Sequence, residues 1–143
     1  VSALDISNDA IEVAKENAKL NSVSIEFINE DIFVYNSNKK YDVIISNPPY
    51  VTELEKTLMK KNVLDFEPEL ALFVEDNEPL KYYTKIINFS KFSLKSKGLL
   101  FFEINNKYYD DLNQYLVEND FKFQKFDDHR GLSRFIFALK SDI

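Results

Sequence analysis

The 143-residue chain lacks cysteine and tryptophan, and it contains only two glycines and one histidine. Without cysteine it can form neither disulfides nor thiolate metal sites, so we expect a reducing compartment, the cytoplasm. Gly98 and Gly131 lie too far apart for a phosphate-binding loop or a dinucleotide fingerprint, because each needs closely spaced glycines. Because His129 is the single histidine, a metal site built on two histidines is excluded. No apolar run approaches the roughly 20 residues that cross a membrane.

The chain is acidic, because 18 Lys and Arg stand against 24 Asp and Glu, which gives a formal net charge of −6. Such a chain does not collect near polyanions through its overall field, which disfavours generic nucleic-acid binding but leaves room for a local basic patch. Apolar residues make up 45% of the sequence, enough at this length for one hydrophobic core. We therefore expect a single domain over residues 1–143.

Segments with strand and helix patterns alternate along the chain. Short apolar runs predict strands at residues 1–5, 24–29, 41–46, 98–105, 121–126 and 134–140. Apolar residues at helical spacing predict helices at residues 8–21, 79–95 and 107–119, and we expect a long, partly helical excursion within residues 53–78. The run at 41–46 is nearly continuous, which is typical of a central strand covered on both faces. The order predicts an α/β fold whose mostly parallel sheet ends in an antiparallel hairpin.

The first predicted helix has clear start and face signals. Ser7 can cap it by accepting a free backbone N–H of the first turn. One half of the helix carries the apolar residues Ala10, Ile11, Val13, Ala14, Ala18 and Leu20. For the helix predicted at residues 79–95, Pro79 suits the first turn and Gly98 suits the break after it.

Two aspartates lie at the ends of the first two predicted strands, where Asp5 is the last residue of the first and Asp31 follows the second. In open α/β sheets ligands bind beyond the carboxyl ends of strands, where an acidic residue such as Asp5 can accept both hydroxyls of a ribose. Asp31 can accept an adenine amino group, with Ile32 and Phe33 as an apolar wall. Both have simpler interpretations, Asp5 as a helix-initiating residue and Asp31 as a turn residue. Taken singly, Asp31 fits the turn role better.

The tetrapeptide Asn47-Pro48-Pro49-Tyr50 forms a loop at the end of a predicted strand, because two prolines cannot continue a sheet ladder. A planar NH2 group on a carbonyl or an aromatic ring is a poor nucleophile, since its lone pair is delocalised. Acceptors for both N–H groups hold that lone pair toward an electrophile, and the Asn47 side chain and the Pro48 carbonyl are two such acceptors. The prolines stiffen the loop, and Tyr50 can stack on the substrate. The motif therefore predicts catalysis on a planar amino group.

These motifs resemble the HemK/PrmC family, the S-adenosylmethionine-dependent N5-glutamine methyltransferases of peptide chain release factors. The resemblance covers essentially the whole chain, and the NPPY motif together with Glu-Pro-x-x-Ala-Leu is more specific than NPPY alone. Its segments are residues 3–7 (ALDIS) with Asp9 and Ala10, then Asp31, residues 41–51 (YDVIISNPPYV) and residues 66–72 (FEPELAL). The resemblance implies a Rossmann-like methyltransferase fold.

Residue by residue, the resemblance implies a donor site and a substrate site. S-adenosylmethionine would contact Asp5, Ile6, Asp31, Ile32 and Asn47. The glutamine amide would contact Asn47, Pro48, Pro49, Tyr50 and Glu67, with Asn47 and Pro48 as the catalytic pair. No metal and no separate general base are needed, because the sulfonium already activates the methyl group and the proton can leave after transfer. Catalysis would then be mainly orientation and dipole placement.

The sequence also departs from the family pattern. The family's first strand and glycine-rich loop, which bind the methionine part of the donor, and its N-terminal helical domain have no counterpart here. That strand is central in this fold, between the strands at 1–5 and 41–46, so the sequence predicts an incomplete catalytic domain. We expect the isolated chain to bind donor weakly, to transfer no methyl group and to expose the edges of those two strands.

Two other functions remain open. An adenine-N6 methyltransferase of DNA or RNA would use the same NPPY chemistry on a flipped base. The acidic charge opposes this interpretation, and its best basic candidates are Lys39, Lys40, Lys56, Lys60 and Lys61. A non-catalytic α/β binding module would fit the absent donor loop. The resemblance instead favours a release factor as partner, with no membrane and no nucleic acid.

Overall fold

The computed structural model describes residues 1–57, 59 and 67–141. The chain divides into two compact units, Val1–Ser37 and Asn38–Ile143. The predicted α/β class is confirmed, since helices alternate with strands that pair in parallel and the last two strands form an antiparallel hairpin. In the described ranges, no helix has the length and apolar character needed to cross a membrane. Residues 58 and 60–66 of the predicted excursion, which include Phe66, lie outside the described residues.

The first unit is a β–α–β element. Strand β1 is Ser2–Asp5, helix α1 is Asn8–Leu20 and strand β2 is Glu26–Asn29. The two strands pair in parallel, and Asp5 lies opposite Asn29. The Ser7 hydroxyl accepts a hydrogen bond from the Ala10 N–H at 3.2 Å, so the predicted helix cap is confirmed. Local signals therefore specify where this helix begins.

The buried face of α1 is narrower than the apolar pattern predicts. Ile11 and Ala18, seven residues apart, are buried. Val13 and Leu20, which the pattern placed on the covered half, are 58% and 81% exposed. A helix that packs on two four-residue strands presents only a narrow stripe to them, so part of the predicted face stays outside.

Replacing Ser7 with alanine tests the local origin of this helix. The change removes the cap of α1, and we expect the free energy of unfolding to fall by about 1 kcal/mol, measured by urea denaturation. Ser7→Asn is the matched control, because an asparagine side chain also accepts the N–H of the first turn. Equal losses in both variants would show that the cap does not contribute.

The described elements of the second unit are β3 Tyr41–Ser46, β4 Val51–Thr52, α2 Glu53–Lys56, α3 Glu69–Leu72, β5 Phe73–Val74, α4 Lys81–Ser93, β6 Leu94–Glu103, α5 Tyr109–Glu118, β7 Phe121–Asp127 and β8 Ser133–Lys140. A 3₁₀ turn at Asn106–Tyr108 precedes α5. The strands form a four-stranded sheet in the order β3-β6-β8-β7 and a separate two-stranded sheet, β4-β5. Strand β3 pairs in parallel with β6, while β6–β8 and β8–β7 are antiparallel.

One face of the four-stranded sheet forms the core of this unit. The ring of Tyr83, from α4, meets Phe102 edge-on with 5.2 Å between the ring centroids. The fully buried side chains of the core include Tyr83, Ile87, Leu94, Leu100, Phe102, Ile104, Leu112, Leu116 and Ile136. This packing fixes β6 and, through the ladder, the end of its neighbour β3.

Strand β3 is not covered on both faces, so that prediction is wrong. Val43 and Ile45 are 43% and 77% exposed, and β3 pairs only with β6 among the described residues. A continuous apolar run indicates that its side chains favour burial. Whether both faces of the strand are covered depends on which other elements pack against them.

The predicted helix at 79–95 is also shorter in the structure. It ends at Ser93, and Leu94 already begins β6, so Gly98 lies inside a strand rather than after a helix. The β3–β6 register shifts in this region, where a Cβ on Gly98 would lie 2.9 Å from the Lys95 carbonyl oxygen. The glycine therefore permits a close backbone approach within the irregular strand.

Candidate active site

The Asn47–Tyr50 loop is held at both ends by backbone pairing. At its start, Ser46 lies opposite Phe102 in the β3–β6 ladder. At its end, the Tyr50 N–H donates to the Leu72 carbonyl at 3.2 Å, and β4 then pairs with β5. Asn47 and Pro48 each precede a proline, which restricts both backbones to extended conformations. The loop is thus a rigid connection between two ladders.

The two predicted acceptors of the loop are unengaged in the described part of the chain. Asn47 is exposed, and within residues 1–57, 59 and 67–141 its side chain makes no hydrogen bond. In the same residues no donor reaches the Pro48 carbonyl, although the proline itself is buried. Pro49 is half-buried beside them. This arrangement leaves a side-chain oxygen and a carbonyl oxygen next to each other in sequence and available to a ligand with two N–H groups.

Tyr50 differs from Asn47 because all three of its hydrogen-bonding groups are engaged. Its N–H binds Leu72, its hydroxyl donates to Glu103 Oε1 at 2.8 Å, and its carbonyl accepts from Asn105 Nδ2 at 3.1 Å. Burial and the Glu103 carboxylate raise the pKa of Tyr50, and Arg134 opposes them in part. The tyrosine is therefore a neutral donor with a fixed ring.

A second carboxylate supports the same end of the loop. Asn105 Nδ2 also donates to Glu55 Oε2 at 3.1 Å, and the Thr52 N–H and hydroxyl each donate to that oxygen at 3.0 Å. Partial burial would raise the pKa of Glu55, but the hydrogen bonds from Thr52 and Asn105 outweigh it and lower that pKa. Glu55 is thus an ionised acceptor that fixes the start of α2.

Sequence reasoning missed Glu55, Glu103 and Asn105. A usable signal existed for two of them, since Glu103 ends β6 and Asn105 follows it by two residues. Because β3 and β6 are parallel, their carboxyl ends meet at one edge of the sheet, where polar residues lie near the loop. Glu55 carried only the weaker signal of a capping box that begins at Thr52.

The Glu-Pro segment reaches the loop through its backbone. Pro68 precedes α3, and its carbonyl accepts the Ala71 N–H at 2.9 Å. Helix α3 ends at Leu72, the residue that binds the Tyr50 N–H. Glu67 is exposed and makes no hydrogen bond or ion pair within the described residues, and its role at the substrate stays a prediction.

In the first unit, Asp5 ends β1 and Asp31 lies two residues after β2, the adjacent parallel strand. Asp5 Oδ1 accepts the Ser7 N–H at 2.8 Å, and Asp31 Oδ1 accepts the Phe33 N–H at 2.9 Å. Each aspartate therefore performs the local role that was its simpler interpretation. Each also keeps its second carboxylate oxygen without a partner among the described residues, so a ligand role is compatible with the local one.

The surroundings of these aspartates fit an adenosine group. Ile6 is 50% exposed after Asp5, and Ile32 is half-buried after Asp31. Asn29 donates to the carbonyls of Asp5 and Ile6 at 3.0 and 2.9 Å, which fixes the backbone after β1. The unit thus presents two carboxylate oxygens for hydroxyl or amino donors, with apolar side chains adjacent to each.

Known proteins of similar sequence are methyltransferases. A family model described as the methyltransferase small domain matches residues 1–70. A release factor glutamine methyltransferase of Bacteroides thetaiotaomicron is 43% identical over 124 residues, which are 85% of this chain and 45% of that protein. Another, of Flavobacterium psychrophilum, is 45% identical over 123 residues, which are 85% of this chain and 43% of that protein. The chain thus spans less than half the length of these curated relatives.

Solved structures of similar fold include methyltransferases. A methyltransferase from Pyrococcus furiosus has a TM-score of 0.71 and 15% identity, covering 100% of this chain and 63% of that one. An S-adenosylmethionine-dependent methyltransferase from Clostridium acetobutylicum has a TM-score of 0.64 and 14% identity, covering 99% and 75%. At this identity the likeness shows the fold alone, which is the Rossmann-like methyltransferase fold. In sequence, the chain is similar to release factor glutamine methyltransferases over 85% of its own length.

Proposed function

We propose that this chain carries the methyl-transfer chemistry of a protein-glutamine N5-methyltransferase that acts on a peptide chain release factor. The observation that carries the proposal is the Asn47–Tyr50 loop, which is rigid at both ends and leaves two adjacent acceptors without partners among the described residues. The identity to release factor glutamine methyltransferases supports glutamine as the group that this loop binds.

The loop would orient the glutamine amide. Its two N–H groups donate to Asn47 Oδ1 and to the Pro48 carbonyl, so that the nitrogen lone pair stands out of the amide plane. Neither proline offers an N–H that could compete for these acceptors. The Tyr50 ring, fixed through its hydroxyl, forms one wall of the slot. Positioning of this kind lowers the activation barrier for methyl transfer without a separate general base.

The donor would be S-adenosylmethionine, whose sulfonium supplies an already activated methyl group. Asp5 would accept the ribose hydroxyls with its free oxygen, and Asp31 would accept the adenine amino group. Ile6 and Ile32 are the apolar side chains next to them. Held by these residues, the donor would supply the methyl group and keep the electron pair of its C–S bond, and the amide nitrogen would lose its proton to water.

The partner and the compartment belong to the same proposal. A release factor is a protein substrate, which fits an acidic chain better than a nucleic acid does. A chain without cysteine fits a reducing cytoplasm. Adenine-N6 methylation remains the competing use of the NPPY chemistry, and the experiment below separates the two.

The proposal is tested by methyl transfer from labelled S-adenosylmethionine, with the protein at its full natural length. The acceptors are a release factor, the same factor with its accepting glutamine changed to asparagine, and an adenine-containing oligonucleotide. We expect label only on the factor that keeps its accepting glutamine, at the side-chain nitrogen of that residue. Label on the oligonucleotide, or equal label on both forms of the factor, would overturn the proposal.

A further inference from the structure

The contacts of Tyr50 divide the loop into a free part and a fixed part. Asn47 and the Pro48 carbonyl are open to a ligand, whereas Tyr50 is tied by its N–H, its carbonyl and its hydroxyl. The hydrogen bonds of the Tyr50 N–H and of the Tyr50 carbonyl use backbone atoms, so they would hold any non-proline residue at this position. The hydrogen bond to Glu103 acts on the tyrosine side chain, across a sequence separation of 53 residues. Arg134 also interacts with the Tyr50 hydroxyl.

We propose that Glu103 is a positioning residue for methyl transfer, which sets the direction of the Tyr50 ring and thereby the slot for the planar substrate amide. The inference rests on the proposed function, because the slot has a catalytic meaning only if this loop binds an amide. Nothing in the sequence pattern of the loop points to it, since Glu103 comes from another strand.

Geometry supports a role beyond holding the fold together. Glu103 lies opposite Phe135 at the end of the β6–β8 ladder, so its backbone is already fixed by the sheet. Its carbonyl accepts the Tyr83 hydroxyl at 3.1 Å, which anchors the main chain a second time. The carboxylate is therefore not needed to place β6. Among the described residues, it accepts a hydrogen bond from the Tyr50 hydroxyl at 2.8 Å. A rigid acceptor of this kind fixes the ring more narrowly than packing of a half-buried tyrosine can.

The test compares four variants of the protein at its full natural length, in the methyl-transfer assay given above. Glu103→Ala and Tyr50→Phe each remove the contact, and we expect each to lower kcat about tenfold, below the loss that a full 1 Å misplacement can cause. The double variant should lose no more than either single one, because coupled residues are not additive. Glu103→Gln keeps an acceptor oxygen and should retain kcat within about threefold.

Tyr115→Phe is the matched control. It also removes a tyrosine hydroxyl that bonds a side chain, Asn88 at 3.0 Å, but it lies on α5 outside the loop. We expect unchanged kcat there, and for the Glu103 variants an unchanged KM for the methyl donor. Additive losses in the double variant, or a Glu103→Ala protein with normal kcat and only a lower melting temperature, would overturn the inference. A wild-type protein that methylates no glutamine would overturn the proposed function together with it.

Discussion

Asn47→Ala is expected to lower the methyl-transfer rate by about 10²–10³-fold, the usual cost of losing one preorganised polar contact in a catalytic site. The side chain makes no hydrogen bond among the described residues, so its removal leaves no protein group unpaired. The structure of the loop should persist, because its ends are held by the Ser46–Phe102 pairing and by the Tyr50–Leu72 hydrogen bond. The rate is measured with saturating donor and a release factor as acceptor.

The control for this experiment is Asn77→Ala, which changes another exposed asparagine of the same unit outside the loop. It should leave the rate unchanged. In Asn47→Ala the melting temperature should be nearly unchanged, and donor affinity should fall far less than the rate, since the main loss falls on orientation of the amide. A near-normal rate in Asn47→Ala would remove Asn47 from the proposed mechanism.

Asp5→Ala is expected to weaken S-adenosylmethionine binding by roughly 1.5–3 kcal/mol, the range for hydrogen bonds that involve a charged group. That loss corresponds to about a tenfold to hundredfold rise in the dissociation constant, measured by calorimetric titration of the protein at its full natural length. The free oxygen of Asp5 is the acceptor that the ribose would use. Its other oxygen binds the Ser7 N–H at 2.8 Å, so the change also weakens the start of α1.

Two further variants separate these roles. Asp5→Asn keeps an acceptor for the Ser7 N–H but loses the charge, so it should preserve the free energy of unfolding and still weaken donor binding. Asp9→Ala removes an exposed aspartate from the first turn of α1 and makes the same change in charge. It should leave donor affinity unaltered. An Asp5→Asn protein that binds donor normally would restrict Asp5 to the helix start.

The sequence by itself determined the features that depend on neighbouring residues. The strand at Tyr41–Ser46 has the predicted bounds, because an apolar run ends where two prolines remove the ladder donors. The start of α1 follows from Ser7 in the same way. The motif that predicts the acceptors, Asn47 with Pro48, is also local, since both groups lie in consecutive residues.

Only the tertiary structure decided the features that join distant segments. Leu94 has helical periodicity with Tyr83 and Ile87, but pairing opposite Tyr41 makes it the first residue of β6. Tyr50 is fixed by Glu103 and Asn105, which lie 53 and 55 residues further along the chain. No short segment of the sequence contains both partners of either contact. They form because the β3–β6 ladder brings the carboxyl ends of two strands together, and that pairing depends on the packing of the whole unit.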